Sequence, residues 1–181
     1  MQPAQGNFGR VTVLIHWLVA AATVVTVICG LTTVYANGAA LTRSSLFVHQ
    51  TIGFGIFLVM IFRALWRVTH PAPPLPGDTP RNQRLAAAAT HILLYVTMFA
   101  LAITGYTGLA ARGRDITIAG LFNLPLIVPM DRPLSVTSQA LHNYGQYLLY
   151  ALLALHVGAA LYHHFVLKDG LLRRMWFTPR S

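Results

Sequence analysis

The chain has 181 residues, of which 55% are hydrophobic and only 9% are charged. Ordinary water-soluble domains carry about 25% charged residues, so this composition excludes a typical soluble enzyme. The formal net charge of +9 could indicate a nucleic-acid partner, but the positions of the basic residues along the chain favour membrane topology as its cause.

Four apolar stretches account for most of the chain, at about 11–36, 45–66, 85–111 and 139–167. Each is close to the roughly 20 residues that a helix needs to cross a bilayer. A short turn joins the first two, and a proline-rich segment at 69–78 joins the second and third. No room remains for a soluble domain. We therefore predict one all-α domain over residues 1–181, an integral membrane four-helix bundle.

The connection before the fourth stretch, residues 112–138, is long and has an apolar middle at 116–130. Pro125 and Pro129 interrupt this middle, so it is too short and too broken to span a membrane. We expect an interfacial segment, which either covers a site between the helices or simply packs on the bundle.

The basic residues are divided unequally between the two sides of the predicted bundle. One side carries nine of them: Arg10, Arg63, Arg67, Arg81, Arg84, Lys168, Arg173, Arg174 and Arg180. The other side carries four: Arg43, Arg112, Arg114 and Arg132. Because basic residues accumulate in cytoplasmic loops, this bias predicts both termini in the cytoplasm and no nucleic-acid partner. Near the C-terminus, Arg173, Arg174 and Trp176 are expected to contact lipid headgroups.

Eight histidines are present, and five or six lie within the apolar stretches, where ionisable groups are costly and usually functional. His142 and His156 are 14 residues apart on the fourth stretch. On a helix this spacing gives a separation of about 21 Å along the axis and about 40° in direction. One helix face therefore presents imidazoles at two membrane depths, which suits two stacked cofactors and is too wide for a single metal ion.

Each of these histidines has candidate partners at its own depth. His49 matches His142 on the outer side, whereas His16 and His91 both match His156 on the inner side. Two neutral imidazoles from different helices form the usual axial pair of a six-coordinate haem b. Small residues follow the candidate ligands and would leave room for a macrocycle: Gly53, Gly55, Gly145 and Gly158.

Two alternative roles for the histidines fit the sequence less well than cofactor ligation. A single intramembrane histidine often only hydrogen-bonds a carbonyl, but four residues in two depth-matched pairs are harder to account for in that way. A zinc or copper transporter would normally add carboxylates or thiols, and the four stretches contain no Asp or Glu.

An ordered set of motifs resembles the bacterial cytochrome b561 family over nearly the whole chain. It comprises Ile15-His16-Trp17-Leu18, His49, Arg63 and Arg67 before a proline-rich loop, Arg112-Gly113, His142 with His156, and Tyr162-His163-His164-Phe165. The resemblance implies a multi-pass protein of the bacterial inner membrane with two haems b. They would be non-covalent, since no Cys-x-x-Cys-His motif is present.

By matching position, the resemblance implies that His16 and His156 bind the iron of the cytoplasmic-side haem, and His49 and His142 that of the periplasmic-side haem. His91 matches a family histidine of unassigned role, either beside a ligand or near a propionate. Further candidates are Arg63 and Arg67 as propionate partners or topological anchors. His163 and His164 are candidates for headgroup or quinone-pocket residues, or for ordinary polar caps of the fourth stretch.

The short members of the family oxidise superoxide and reduce ubiquinone, which implies the same oxidoreductase activity here. Arg112, Arg114 and Arg132 could then concentrate an anionic donor at the periplasmic side. Related cytochromes instead anchor hydrogenases and formate dehydrogenases. An electron-transfer subunit with a protein donor therefore stays open as the alternative, as does the oligomeric state.

Overall fold

A computed structural model describes residues 6–75 and 79–176, which form four long helices and a few short elements. The helices are α1 (Arg10–Tyr35), α2 (Ala39–Thr69), α3 (Arg81–Ala110) and α4 (Arg132–Tyr162). All four are long and apolar enough to cross a membrane. The predicted all-α membrane bundle is confirmed. Arg180 and residues 76–78 of the predicted connection lie outside the described residues.

Three helices begin earlier than hydropathy predicts: α3 starts at Arg81 and not near residue 85, and the shift is larger in α2 and α4. α2 starts at Ala39 and not near residue 45. It follows directly on Gly38, whose positive φ of 127° allows the chain to turn between α1 and α2. α4 starts at Arg132 and not near residue 139, because the Asp131 side chain caps it by accepting a hydrogen bond of 2.6 Å from the Leu134 N–H. The first turns of α2 and α4 contain Ser, Thr, Arg or Gln. These polar residues interrupt the apolar pattern, so hydropathy alone does not detect the start of either helix.

The bundle consists of two antiparallel helix pairs, α1 with α2 and α3 with α4, each tightly packed within itself. At one end, α1 and α3 begin and α2 and α4 end, and we call this the terminal end. The opposite end, with the α1–α2 and α3–α4 connections, is the distal end. The Trp66 indole donates to Thr12 Oγ1 (3.1 Å) at the terminal end of the first pair. Ser135 Oγ donates to the Gly108 carbonyl (2.7 Å) at the distal end of the second.

The two pairs contact each other mainly through a small apolar core nearer the terminal end. Ile15, Val19 and Met60 are buried there, and Tyr95 and Phe99 of α3 pack against them. Large apolar side chains on the outside of the bundle are exposed, including Leu14, Leu65 and Leu155. An apolar exterior around a small core is what a lipid-solvated bundle requires.

The long distal connection folds over the end of the bundle. It forms a short hairpin of two antiparallel strands, β1 (Thr117–Ile118) and β2 (Phe122–Asn123). The Ala119 N–H donates to Thr51 Oγ1 of α2 (3.1 Å), and the Tyr106 hydroxyl of α3 donates to the Pro125 carbonyl (2.6 Å). These bonds fasten the connection to both helix pairs.

After α4, the chain passes through a π-helical turn (His163–Leu167) and a 3-10 turn (Leu172–Met175) and folds back beneath the terminal end.

The expected headgroup role of Arg174 is wrong, because this residue is only 3% exposed. Its Nε donates to the Gly6 carbonyl (2.8 Å) and its Nη1 to the Pro74 carbonyl (3.0 Å). Burial lowers the pKa of the Arg174 guanidinium. Arg173 and Trp176 are exposed, as expected.

Candidate functional site

The distal site is built from His49 of α2 and His142 of α4, the two histidines that the sequence assigns to one depth. Their ring centroids are 5.9 Å apart, with an interplanar angle of 81°. Two imidazoles on opposite sides of one iron, each with an iron–nitrogen bond of about 2 Å, have ring centres roughly 6 Å apart. The spacing of this pair therefore fits axial ligation of a haem iron.

Each ring of the distal pair is oriented by a backbone carbonyl of its own helix pair. His49 Nδ1 lies 2.8 Å from the Thr26 carbonyl oxygen, and His142 Nδ1 lies 2.8 Å from the Leu101 carbonyl oxygen. A carbonyl only accepts, so Nδ1 of each neutral imidazole carries the proton. Nε2 is then the unprotonated nitrogen in both rings, which is the state that a metal ligand needs.

Two glycines make these ring positions possible, and sequence reasoning missed both. A Cβ added to Gly30 of α1 would lie 3.1 Å from His49 Cε1, and one added to Gly105 of α3 would lie 2.9 Å from His142 Cε1. Each imidazole packs directly on a helix backbone. A glycine inside a membrane helix often marks a place where another group packs closely, so the sequence could have indicated close packing at these two positions. It could not indicate that the packed group is a histidine ring.

The glycines expected to make room for a cofactor behave differently from these two. At Gly53, Gly55 and Gly158 an added Cβ would meet no atom within 4 Å beyond the neighbouring backbone of the same helix, so the space beside each of them is open. Gly53 borders the cavity beside His49. Gly145 instead packs against Leu101, at 3.1 Å from an added Cβ. Of the four glycines expected to make room, Gly53 is therefore the one that opens onto the distal site.

The distal pair lies in a cavity of about 1100 Å³ between the two helix pairs, closed above by residues of the distal connection such as Ile116 and Leu124. Its lining is mostly apolar. The hydroxyls of Thr23 and Thr26 border it and are buried without a hydrogen-bond partner among the described residues. Buried polar atoms without a partner are rare, and here they add to a cavity large enough for a planar macrocycle. Donor set, lining and size all fit a haem.

At the terminal end the structure brings three histidines together. The sequence had left both His16 and His91 as candidate partners of His156, and both lie beside it. The ring centroids of His16 and His156 are 6.1 Å apart, and those of His91 and His156 are 5.3 Å apart. The first distance matches that of the distal pair, whereas the second is shorter than two iron–imidazole bonds allow. His156 is the shared member of both contacts.

The hydrogen bonds of His16 and His91 differ in a way that bears on which of them pairs with His156. His91 Nδ1 donates to the Ala87 carbonyl (2.7 Å), which leaves its Nε2 unprotonated. His16 Nδ1 instead accepts from Arg63 Nη2 at 3.2 Å, since a guanidinium only donates, so the neutral His16 ring carries its proton on Nε2. For His16 to bind iron through Nε2, its Nδ1 must take up that proton and release Arg63.

The other inner candidates take separate positions. Arg63 lies over the Tyr95 ring, 5.4 Å from its centroid, while Arg67 is exposed. His163 Nδ1 pairs with the Asp169 carboxylate at the terminal end. The His164 ring contacts Phe165. Of these four candidates, Arg63 is the one that touches a candidate ligand.

The three arginines expected to attract an anion lie at the distal end and are exposed. Arg112 borders the cavity of the distal pair, and its Nε donates to Ser135 Oγ (2.7 Å), so its position is fixed. Arg112 and Arg132 also line a second, shallower pocket of about 530 Å³. Positive charge is thus placed beside the distal cavity.

A four-helix membrane bundle with histidines facing each other at two depths defines a membrane cytochrome of the b type. The profile of the prokaryotic cytochrome b561 family matches residues 7–178, so the chain belongs to the prokaryotic cytochrome b561 family. It is a multi-pass bacterial membrane protein, and membership implies haem b binding and membrane electron transport.

Three relatives are similar over most of the chain. Cytochrome b561 homolog 2 of Escherichia coli (strain K12) is 37% identical over 129 residues, 71% of this chain and 68% of the relative. Cytochrome b561 homolog 1 of the same organism is 31% identical over 70% of this chain and 72% of the relative. The probable superoxide oxidase CybB of Yersinia pestis is 33% identical over 74% of this chain and 76% of the relative.

Proposed function

We propose that the chain binds two haems b, one between His49 and His142 and one between His16 and His156. The observation that carries the proposal is the pair of imidazole contacts at two depths, with centroid distances of 5.9 and 6.1 Å. When bound, such haems supply reversible one-electron redox chemistry at two levels of the membrane.

The protein residues determine where and how these groups are held. His49 and His142 have Nε2 unprotonated because their Nδ1 atoms are bonded to carbonyl oxygens. Arg63, when it releases His16, is a cation beside the terminal pair and is suited to a propionate. His91 then remains close to His156 as a neighbouring polar group.

We infer that the chain oxidises superoxide and reduces ubiquinone. In balance, two superoxide anions become two dioxygen molecules, and one quinone takes up two electrons and two protons to become a quinol. Two observations support this donor: the name of the Yersinia pestis relative, and the placement of Arg112 beside the distal cavity, where a cation attracts a small anion.

We further propose that the terminal end faces the cytoplasm and that the membrane is the bacterial inner membrane. The support is the excess of Lys and Arg at that end. The distal cavity and the arginines beside it would then lie on the periplasmic side, and quinone would reach the protein from within the lipid. The domain is proposed to include all 181 residues.

The first test is the cofactor content of the purified chain. A pyridine haemochrome assay is expected to give two haems b per chain and no haem c. A result well below two haems would contradict the paired-histidine proposal.

The second test is the reaction, with superoxide as donor and a soluble ubiquinone analogue as acceptor, and with no other protein present. Quinol formation that superoxide dismutase abolishes is the expected result. If the protein holds two haems but forms no quinol from superoxide, and a membrane dehydrogenase fraction restores quinone reduction, the chain is instead an electron-transfer subunit with a protein donor.

A further inference from the structure

His16 differs from the distal ligands in how its ring is held. His49 and His142 are each fixed by a backbone carbonyl. Among residues 6–75 and 79–176, no carbonyl bonds to the His16 ring. Its contacts are the Arg63 guanidinium, the His156 ring and the edge of the Trp17 ring, whose centroid is 5.4 Å from that of His16 at an angle of 76°.

Trp17 is itself held from outside its helix. Its Nε1 donates to the Met175 carbonyl at 2.7 Å, and its ring packs edge-on against Trp176 with centroids 6.0 Å apart. Both partners belong to residues 171–176, a segment that follows α4 and that we call the C-terminal cap. Trp17 and Met175 are 158 residues apart along the chain, so the group that orients the indole is remote from it in sequence.

The C-terminal cap is fixed to three other parts of the terminal end. At its start, the Leu171 N–H donates to Asp169 Oδ1 (3.0 Å), after a reversal in which Lys168 and Gly170 have positive φ. At its centre, buried Arg174 donates to the carbonyls of Gly6 and Pro74. The Arg174 guanidinium also lies over the Phe8 ring, at 5.6 Å. A segment secured in this way gives the Trp17 indole a rigid anchor.

We propose that Trp17 is a positioning residue for the terminal haem: anchored by the C-terminal cap, it fixes the plane of the His16 imidazole relative to that of His156. It replaces the backbone carbonyl that orients each distal ligand. Trp17 controls the angle between the imidazole planes of the terminal pair, which is 62°, whereas the corresponding angle in the distal pair is 81°. This inference rests on the proposed ligation of a haem by His16 and His156.

The test compares Trp17→Phe with the unmodified protein by low-spin EPR, because the g values of a haem with two imidazole ligands depend on the angle between the ligand planes. Trp17→Phe keeps an aromatic ring but removes the N–H that bonds to Met175. We expect two haems per chain, a shifted signal for the terminal haem and an unchanged signal for the distal haem.

The matched control is Trp66→Phe. Trp66 also lies at the terminal end and also donates its indole N–H to another helix, at Thr12, but it stacks on Phe62 and His70 and touches no proposed ligand among the described residues. The Trp66→Phe variant should lose about as much stability as Trp17→Phe and should leave both EPR signals unchanged. If it shifts the terminal signal as much as Trp17→Phe does, the effect is general loosening and the inference is wrong.

A second variant keeps the inference testable if Trp17→Phe does not fold. Deletion of residues 171–181 removes the acceptor of the same hydrogen bond and should shift the same signal in the same direction. Two haems with an unchanged terminal signal, in either variant, would overturn the role of Trp17. Fewer than two haems in the unmodified protein would instead contradict the proposed function.

Discussion

At the scale of single residues, the distal site depends on helix backbones that approach its ligands closely. A Cβ added at Gly105 would lie 2.9 Å from His142 Cε1, a distance that real Cβ atoms essentially never show, and 3.0 Å from Nδ1. The imidazole would have to move, which would lengthen its bond to the Leu101 carbonyl. Overpacking of this kind typically costs about 1–3 kcal/mol.

We therefore predict that Gly105→Ala lowers the content of the distal haem and leaves the terminal haem in place. Haem-resolved spectra of the purified variant give the measurement. Gly55→Ala is the control, because a Cβ there meets no atom within 4 Å and Gly55 does not border the distal cavity. Equal haem loss in both variants would show that close packing at His142 is not the cause.

The partner of His156 is the second question at this scale. The family resemblance and the 6.1 Å spacing favour His16, whereas the hydrogen bond of His91 leaves its Nε2 ready to bind a metal. We predict that His16→Ala loses one haem and retains the distal spectrum. His91→Ala should retain both haems, with slower quinone reduction or a shifted midpoint potential. If His91→Ala loses one haem while His16→Ala keeps two, the ligand is on α3.

At the scale of elements, the distal connection both covers the cavity and carries its positive charge. Arg112 is tied to the buried Ser135, while Arg114 is exposed. We predict that Arg112→Gln combined with Arg114→Gln slows oxidation of superoxide and weakens its dependence on ionic strength. The physical reason is that attraction between a cation and an anionic donor is screened by salt.

The measurement is the rate of quinol formation across a series of salt concentrations. Arg81→Gln combined with Arg173→Gln is the matched control, since it removes the same charge from exposed residues at the terminal end. Rates that respond to salt identically in both double variants would favour a neutral or protein donor.

The element scale also shows where hydropathy is insufficient. The apolar pattern identified the interior of each helix but not the starts of α2 and α4, which depend on the positive φ of Gly38 and the Asp131 cap. The predicted interfacial segment proved to contain a hairpin, which bonds to Thr51 through Ala119, and the residues after the hairpin bond to Tyr106. Such bonds involve residues far apart in sequence, so a local pattern does not reveal them.

At the scale of the whole molecule, the unequal distribution of basic residues predicts the orientation in the membrane. Of the 12 Lys and Arg residues that the structure describes, eight lie at the terminal end, so we predict that both termini are cytoplasmic. A reporter that is active only in the periplasm, fused after Ser181, should be inactive. The same reporter inserted at the exposed tip of the distal hairpin, after Leu121, should be active. The reverse pattern would invert the proposed orientation.

The sequence by itself determined the class of protein. A helix solvated by lipid must be apolar over about 20 residues, and the sequence contains four such stretches. It also determined the distal pair, since His49 and His142 are the two histidines at one depth, and depth follows from counting residues along a helix. Lateral contacts are different. Which backbone lies behind an imidazole, through Gly30 and Gly105, depends on how helices pack side by side.

Only the tertiary structure decided that Arg174 is a buried connector and not a lipid anchor, and that the C-terminal cap reaches Trp17. The sequence shows an arginine beside a tryptophan near the terminus, which is typical of a membrane-surface anchor. Its partners, the carbonyls of Gly6 and Pro74, lie 168 and 100 residues away. Backbone carbonyls are the same in every residue, so no sequence pattern could identify them as partners.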